Sequence, residues 1–72
     1  MNQESMVALR CRVVPNTLDH LSVQAGERRL VVPLAVLRRA CGHRNVNQVY
    51  LTGVATLLVT ATTWSAWLQT LG

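Results

Sequence analysis

The stretch that decides the fold is residues 20–33, HLSVQAGERRLVVP, in which two apolar runs flank Gly26. Such runs joined by Ala25-Gly26-Glu27 are typical of a β-hairpin, because glycine adopts the positive φ angles that tight turns need. Pro33 closes the second run and suits the first turn of a helix, since its φ angle is already helical. We therefore predict a hairpin over 20–33 that leads directly into a helix.

A further strand is predicted ahead of this hairpin, over residues 6–14, MVALRCRVV. Apolar and other residues alternate along it, and period-two alternation indicates a strand with one buried face. Pro15-Asn16 marks the turn that follows. The residues predicted to share one face are Val7, Leu9, Cys11 and Val13, which leaves Ala8, Arg10, Arg12 and Val14 on the other.

The segment after Pro33 predicts a short helix and then a second pair of strands. LAVLRRACG, residues 34–42, places apolar side chains at helical spacings and stops at Gly42. Beyond it, QVYLT and VATLLVTA lie on either side of Gly53 and are rich in Val and Thr, which favour strands. We predict that these two segments form a second hairpin.

A final helix is predicted over WSAWLQTLG, with Thr62-Thr63 supplying its N-cap. Trp64 and Trp67 share one face with Leu68 and Leu71, so we expect the tryptophans in a core or an interface and not in a base-stacking platform. The elements predict an α+β fold, mostly β, with two β-hairpins and two short helices. We expect one small domain over residues 1–72, disordered over residues 1–5.

The charge distribution divides the chain into two parts. Its 72 residues include seven arginines, no lysine and three acids, for a formal net charge of +4, and every charge lies between Glu4 and Arg44. The basic part predicts an anionic partner, and guanidinium groups bind phosphate through paired hydrogen bonds. The uncharged residues 45–72 predict an apolar contact, and so short a chain is expected to gain stability from a second copy.

Catalysis and metal binding receive little support from the residue inventory. Cys11, His20, Cys41 and His43 show neither CxxC nor HxxxH spacing, and the chain has no nucleophile elbow or glycine-rich phosphate loop. We therefore expect no enzymatic activity, no metal and no cofactor, with both thiols reduced. The amino terminus carries no secretory signal, so a reducing cytoplasm is the expected compartment.

Four stretches carry a resemblance to a known family: ERRLVVP, LAVLRRACG, VYLTGVATLLVTA and TTWSAWLQTLG. Their order resembles the AbrB family of swapped-hairpin DNA-binding modules, and in particular the MraZ-type repressors, over residues 20–42 and 47–71. Arg29 stands four residues before Pro33, as the turn arginine of that family does. Arg28 takes the place of the family's glycine, and Leu37 that of its helix arginine, which Arg38 follows.

The resemblance implies a homodimer that interleaves hairpins from two chains and regulates transcription by binding duplex DNA. Adjacent strand residues point to opposite faces, which favours Arg29 over Arg28 as a contact. The residues that we expect to contact DNA are Arg10, Arg12, Arg28, Arg29, Arg38 and Arg39. Those expected at the oligomer interface are Val49, Leu51, Leu57, Val59, Trp64 and Trp67.

Two other interpretations remain open at the level of sequence. The first is a small adaptor or inhibitor, of the type that phages and mobile elements encode, which binds a protein partner through arginine and tryptophan. The second is a membrane protein with a single span over residues 49–68, which carry no charge and are long enough to cross a bilayer.

Overall fold

The computed structural model describes residues 4–72 and has four strands and three helices in that range. All strands belong to one antiparallel sheet with the order β3-β2-β1-β4. The α+β class predicted from the sequence is therefore confirmed. In chain order the elements are β1 (Met6–Val13), β2 (His20–Ala25), β3 (Arg28–Pro33), α1 (Leu34–Cys41), α2 (His43–Thr52), β4 (Val54–Thr60) and α3 (Ala61–Thr70).

The first three strands form where the sequence predicts them. Leu9 and Cys11 of β1 are fully buried, as the alternation requires. The pairing of Ala25 with Arg28 leaves Gly26 and Glu27 as a two-residue loop between β2 and β3. Gly26 has a φ angle of 58°, a left-handed conformation that glycine adopts without steric cost.

The second predicted hairpin is wrong, because residues 48–52 belong to a helix. Val46 and Val49 lie one helical turn apart in α2, and both are fully buried. Their spacing of three gives the helix an apolar face, and burial of that face outweighs the strand propensity of Val and Thr. Gly53, with a φ angle of 83°, ends α2 and lets the chain turn into β4. Over residues 4–72 the chain thus has three helices in place of the predicted two, and of the two predicted hairpins only β2–β3 forms.

The last helix begins earlier than predicted, at Ala61, and its N-cap is Thr60. The Thr60 hydroxyl accepts a hydrogen bond of 3.1 Å from the Thr63 backbone N–H, which satisfies one of the free donors at the helix start. Trp64 and Trp67 are buried, so the expectation that they lie in a core or an interface is confirmed for the core.

All three helices pack on the same face of the sheet. The buried residues form one cluster: Leu9, Cys11, Leu21, Val23, Leu30, Val32, Leu37, Val46, Val49, Leu57, Val59, Trp64 and Trp67. Its strand members all point to the helix side, because they alternate along each strand with exposed or half-buried residues. The opposite face of the sheet has no layer of the described chain over it, and we call it the open face.

The amino terminus and the proposed membrane span also differ from expectation. The Ser5 carbonyl accepts a hydrogen bond of 2.8 Å from Ala61, and Glu4 accepts one of 3.1 Å from Thr62, so residues 4 and 5 are held in place. Residues 1–3 of the segment predicted to be disordered lie outside the described range. Residues 49–68 are divided among α2, β4 and α3. Within residues 4–72, no helix has the length and apolar character to cross a membrane.

Candidate functional site

The open face presents two rows of side chains that cross all four strands. Antiparallel pairing sets Arg29 opposite Gln24, Gln24 opposite Arg10, and Arg10 opposite Thr56. The neighbouring row consists of Val31, Ser22, Arg12 and Val54. Directly paired residues project to the same side of a sheet, so three arginines share this face. We call Arg10, Arg12 and Arg29 the arginine surface.

The sheet fixes the spacing of the arginine surface. Arg10 and Arg12 are two residues apart on β1, which separates their Cα atoms by about 7 Å along the strand. Arg29 lies two strands away from Arg10, at about 10 Å. Gln24 stands between these two, and its Oε1 accepts a hydrogen bond of 3.4 Å from Arg29 Nη2. The Gln24 amide also donates to the Gly26 carbonyl at 3.1 Å, which fixes the acceptor for Arg29.

A depression of about 450 Å³ lies over this part of the open face. The loop after β1, at Val14 and Pro15, forms one wall. Ser22 and Gln24 of β2 form its polar floor, and Gln24 lies between Arg10 and Arg29 in one row. The complete lining is Arg10, Arg12, Val13, Val14, Pro15, Ser22, Gln24, Arg29 and Val31, with no acidic residue.

None of the three acids of the chain lines this depression. Glu27 lies in the β2–β3 loop, two residues before Arg29, and forms no ion pair with it. Hydrogen bonds from Thr62 hold Glu4 at the start of α3 and keep its pKa below the usual value. The Thr17 hydroxyl, and then the His20 ring, lower the pKa of Asp19. Within residues 4–72, the one contact of ion-pair length joins the Asp19 carboxylate to the His20 ring at 3.0 Å, and it involves no arginine. The described chain therefore leaves the three guanidinium charges of the arginine surface without a carboxylate partner.

The other three arginines predicted to contact DNA lie elsewhere. Arg28 precedes Arg29 on β3 and so points to the opposite side of the sheet, as the alternation of strand residues predicts. Arg38 and Arg39 lie on α1, in the helix layer behind the sheet. The fold therefore does not place all six predicted residues on one surface.

Most residues predicted at an oligomer interface are part of the core of the single chain. Val49 is fully buried, and Leu57, Val59, Trp64 and Trp67 are no more than 9% exposed. The exception is Leu51, which is 79% exposed on α2. These five residues of the uncharged segment therefore belong to the hydrophobic core of the single chain.

Ser22 and Gln24 are site residues that were not predicted from the sequence. The signal was present in HLSVQA, where polar His20, Ser22 and Gln24 alternate with apolar Leu21 and Val23. That alternation places both polar side chains on the exposed face of β2. Which charged neighbours they meet depends on how β2 pairs with β1 and β3, and the periodicity of one strand does not specify its partners.

The cysteines show the chemistry of core residues. Burial raises the pKa of the Cys11 thiol to about 11, and it also raises the pKa of Cys41. A thiol that stays protonated at neutral pH is a poor nucleophile and a poor metal ligand. Nowhere in residues 4–72 do three or more His, Cys, Asp or Glu side chains gather closely enough to hold a metal ion.

Comparisons with known proteins give no relative from which a role could be transferred. No protein-family model, curated protein or solved structure matches the chain.

Proposed function

We propose that this protein binds duplex DNA through the arginine surface. The observation that carries the proposal is the grouping of three guanidinium groups, free of carboxylate partners, in one depression on the uncovered face of the sheet. Guanidinium groups form paired hydrogen bonds with phosphate oxygens, and the polar floor supplies a hydroxyl and an amide as further donors. A regular array of cations suits a polymer with a regular array of phosphates.

The shape of the open face favours contacts with the DNA backbone over base contacts. Four strands at their usual spacing span about 14 Å between the outer strand axes, and side chains widen the face further. The major groove of B-DNA is about 12 Å wide and admits a helix or a two-stranded ribbon. The sheet therefore lies across the phosphate ridges, where contacts position the protein but carry little sequence information.

A role in transcription is a further part of this proposal, and, like the swapped-hairpin dimer, it rests on the resemblance to the AbrB and MraZ proteins. Within the single chain, the β2–β3 and β1–β4 pairings are both intramolecular. In a swapped dimer, strand pairings that the single chain makes internally would form between the two chains instead. DNA binding through the arginine surface does not depend on such a swap.

The salt dependence of binding tests the proposal directly. Three phosphate contacts predict that the logarithm of the association constant falls with the logarithm of salt concentration with a slope of about −2.7. Fluorescence anisotropy of a labelled duplex, titrated with protein at several salt concentrations, measures this slope. A protein that leaves the anisotropy unchanged even at low ionic strength would contradict the proposal.

Gln24→Glu is expected to separate folding from binding. A carboxylate between Arg10 and Arg29 would pair with both, so we expect the free energy of unfolding to stay the same or rise by a few tenths of a kcal/mol. The same carboxylate repels phosphate and occupies the guanidinium groups, so duplex affinity should fall about tenfold or more. Urea denaturation and anisotropy measure the two effects. Full retention of affinity would show that the DNA lies elsewhere.

A second candidate function, binding of a protein partner, is favoured by a groove in the helix layer. Leu18 and Leu51 are 83% and 79% exposed, and they line this groove with Tyr50 and Arg38. Exposed leucines beside a guanidinium group suit a partner that offers an apolar side chain next to a carboxylate. Pull-down after nuclease treatment, with Leu51→Asp as the comparison, tests this candidate. We expect one stoichiometric partner that the variant loses, and a partner retained by the variant would exclude this groove.

A further inference from the structure

The strand β4 lies at one edge of the sheet, and nothing in its sequence blocks pairing with another strand. Its seven residues, VATLLVT, include no charge, no proline and no glycine. Natural proteins discourage pairing at exposed edges with charged side chains, proline, bulges or a covering element. β4 has no charge or proline of its own. Two side chains contact its outward carbonyls: Thr52 Oγ1 donates to Val54 at 2.7 Å, and Cys41 Sγ of α1 donates weakly to Leu58 at 3.7 Å.

The hydrogen-bond pattern shows which backbone groups of β4 face outward. The Ala61 N–H donates to the Ser5 carbonyl at 2.8 Å, which continues the β1–β4 register. In antiparallel pairs every second residue directs both its N–H and its C=O to one neighbour. Residues 55, 57 and 59 therefore face β1, whereas residues 54, 56, 58 and 60 face away from the sheet. Contacts from Thr52 to the Val54 carbonyl and from Cys41 to the Leu58 carbonyl agree with this assignment.

The opposite edge of the sheet is protected. By the same alternation, β3 directs the backbone of residues 29, 31 and 33 outward. Residue 33 is proline and has no N–H to donate, and residues 28 and 29 are both arginine. A second copy that approached this edge would meet like charges and an incomplete set of donors.

We propose that two copies of this chain pair along β4, antiparallel and about a two-fold axis, to form one eight-stranded sheet. Pairing Thr56 of one copy with Leu58 of the other also brings residues 54 and 60 opposite each other. The two pairs of Thr56 with Leu58 form up to about four backbone hydrogen bonds across the two-fold axis. The carbonyls of Val54 and Thr60 already accept bonds within the chain, from Thr52 and at the start of α3. We assign the partner strand to a second copy of the chain, because in this register the outward backbone groups of Thr56 and Leu58 in one copy meet those of Leu58 and Thr56 in the other.

The charges of the two copies also fit this arrangement. A two-fold axis perpendicular to the sheet keeps both open faces on the same side, so the arginine surfaces of the two copies form one continuous face. The two β1 strands are three inter-strand spacings apart, about 14 Å. That separation exceeds the Debye length of about 8 Å at physiological salt, so repulsion between the arginine surfaces is largely screened. The strands in contact carry no charge at all.

Thr56→Pro tests the interface without removing a hydrogen bond inside the chain. The N–H that proline lacks at position 56 faces outward, and proline is tolerated on edge strands in that orientation. Val31→Pro is the matched control, because it makes the same change at an outward position of β3. Sedimentation equilibrium without DNA measures the dimer dissociation constant, and circular dichroism confirms that both variants are folded.

The wild-type chain and Val31→Pro should dimerise with similar dissociation constants, whereas Thr56→Pro should raise the constant about tenfold or more. Hydrogen exchange on the wild-type chain gives a test that needs no variant: the amides of Thr56 and Leu58 should become protected as protein concentration rises. A monomeric wild-type chain at all concentrations, or equal dimerisation by Thr56→Pro, would overturn the proposal. Neither measurement includes DNA, so DNA binding and dimerisation can fail independently.

Discussion

Replacing Arg10, Arg12 and Arg29 together with glutamine should remove most of the affinity for duplex DNA. If each guanidinium group contacts one phosphate, the variant loses three counterion-releasing contacts, and the slope of affinity against salt flattens by about 2.7. At low ionic strength we expect affinity to fall by about a hundredfold or more, because the three contacts are charge-assisted hydrogen bonds. Anisotropy titrations of the same duplex with wild type and variant measure both quantities.

A second triple variant distinguishes the effect of where the arginines lie from the effect of the net charge of the chain. Replacing Arg28, Arg39 and Arg44 with glutamine removes three positive charges as well and lowers the formal net charge from +4 to +1. None of these three residues lines the depression on the open face. This variant should keep nearly all of the affinity and the wild-type salt slope, apart from a small change due to long-range attraction. Equal losses in the two triple variants would mean that net charge drives binding and that the arginine surface has no special role.

Local patterns in the sequence were enough to predict β1, the β2–β3 hairpin and α1. Each is defined by neighbouring residues: alternation in MVALRCRVV, the turn at Gly26, and Pro33 ahead of LAVLRRACG. Residues 48–52 were mispredicted because their Val, Tyr and Thr favour strands locally. Their helical state depends on Val46 and Val49 reaching the core together, and that burial is a tertiary effect.

The candidate site was predicted only in part, for a similar reason. The shared face of Arg10 and Arg12 follows from their spacing of two on one strand. Their proximity to Arg29 follows from pairings between β1, β2 and β3, which bring residues of distant sequence number into one row. The exclusion of Arg38 and Arg39 depends on which face of the sheet the helices cover. Sequence periodicity reports neither strand register nor the side on which a helix packs.

The other large effect is expected in the core, where the substitution Trp67→Ala should lower the free energy of unfolding. Trp67 is 7% exposed and lies in α3, which begins directly after β4 and packs its tryptophans into the hydrophobic core. Removing a buried tryptophan costs about 3–5 kcal/mol, whereas a domain of this length has a total stability of about 4–11 kcal/mol. We therefore expect Trp67→Ala to lose a large share of its stability and to be partly unfolded at 25 °C.

Trp64 makes this loss measurable, because it is the one tryptophan left in the variant and its fluorescence reports on the same core. Leu71→Ala is the matched control: it lies one turn further along the same face and is 37% exposed, so it should cost less than about 1 kcal/mol. Urea denaturation followed by Trp64 fluorescence and circular dichroism gives the comparison. Similar midpoints for the two variants would mean that α3 does not close the core, and the helix layer would then rest on α1 and α2 alone. A large difference would mean that the stability of the fold depends on α3 packing against the helix side of the sheet, opposite the face that carries the arginine surface.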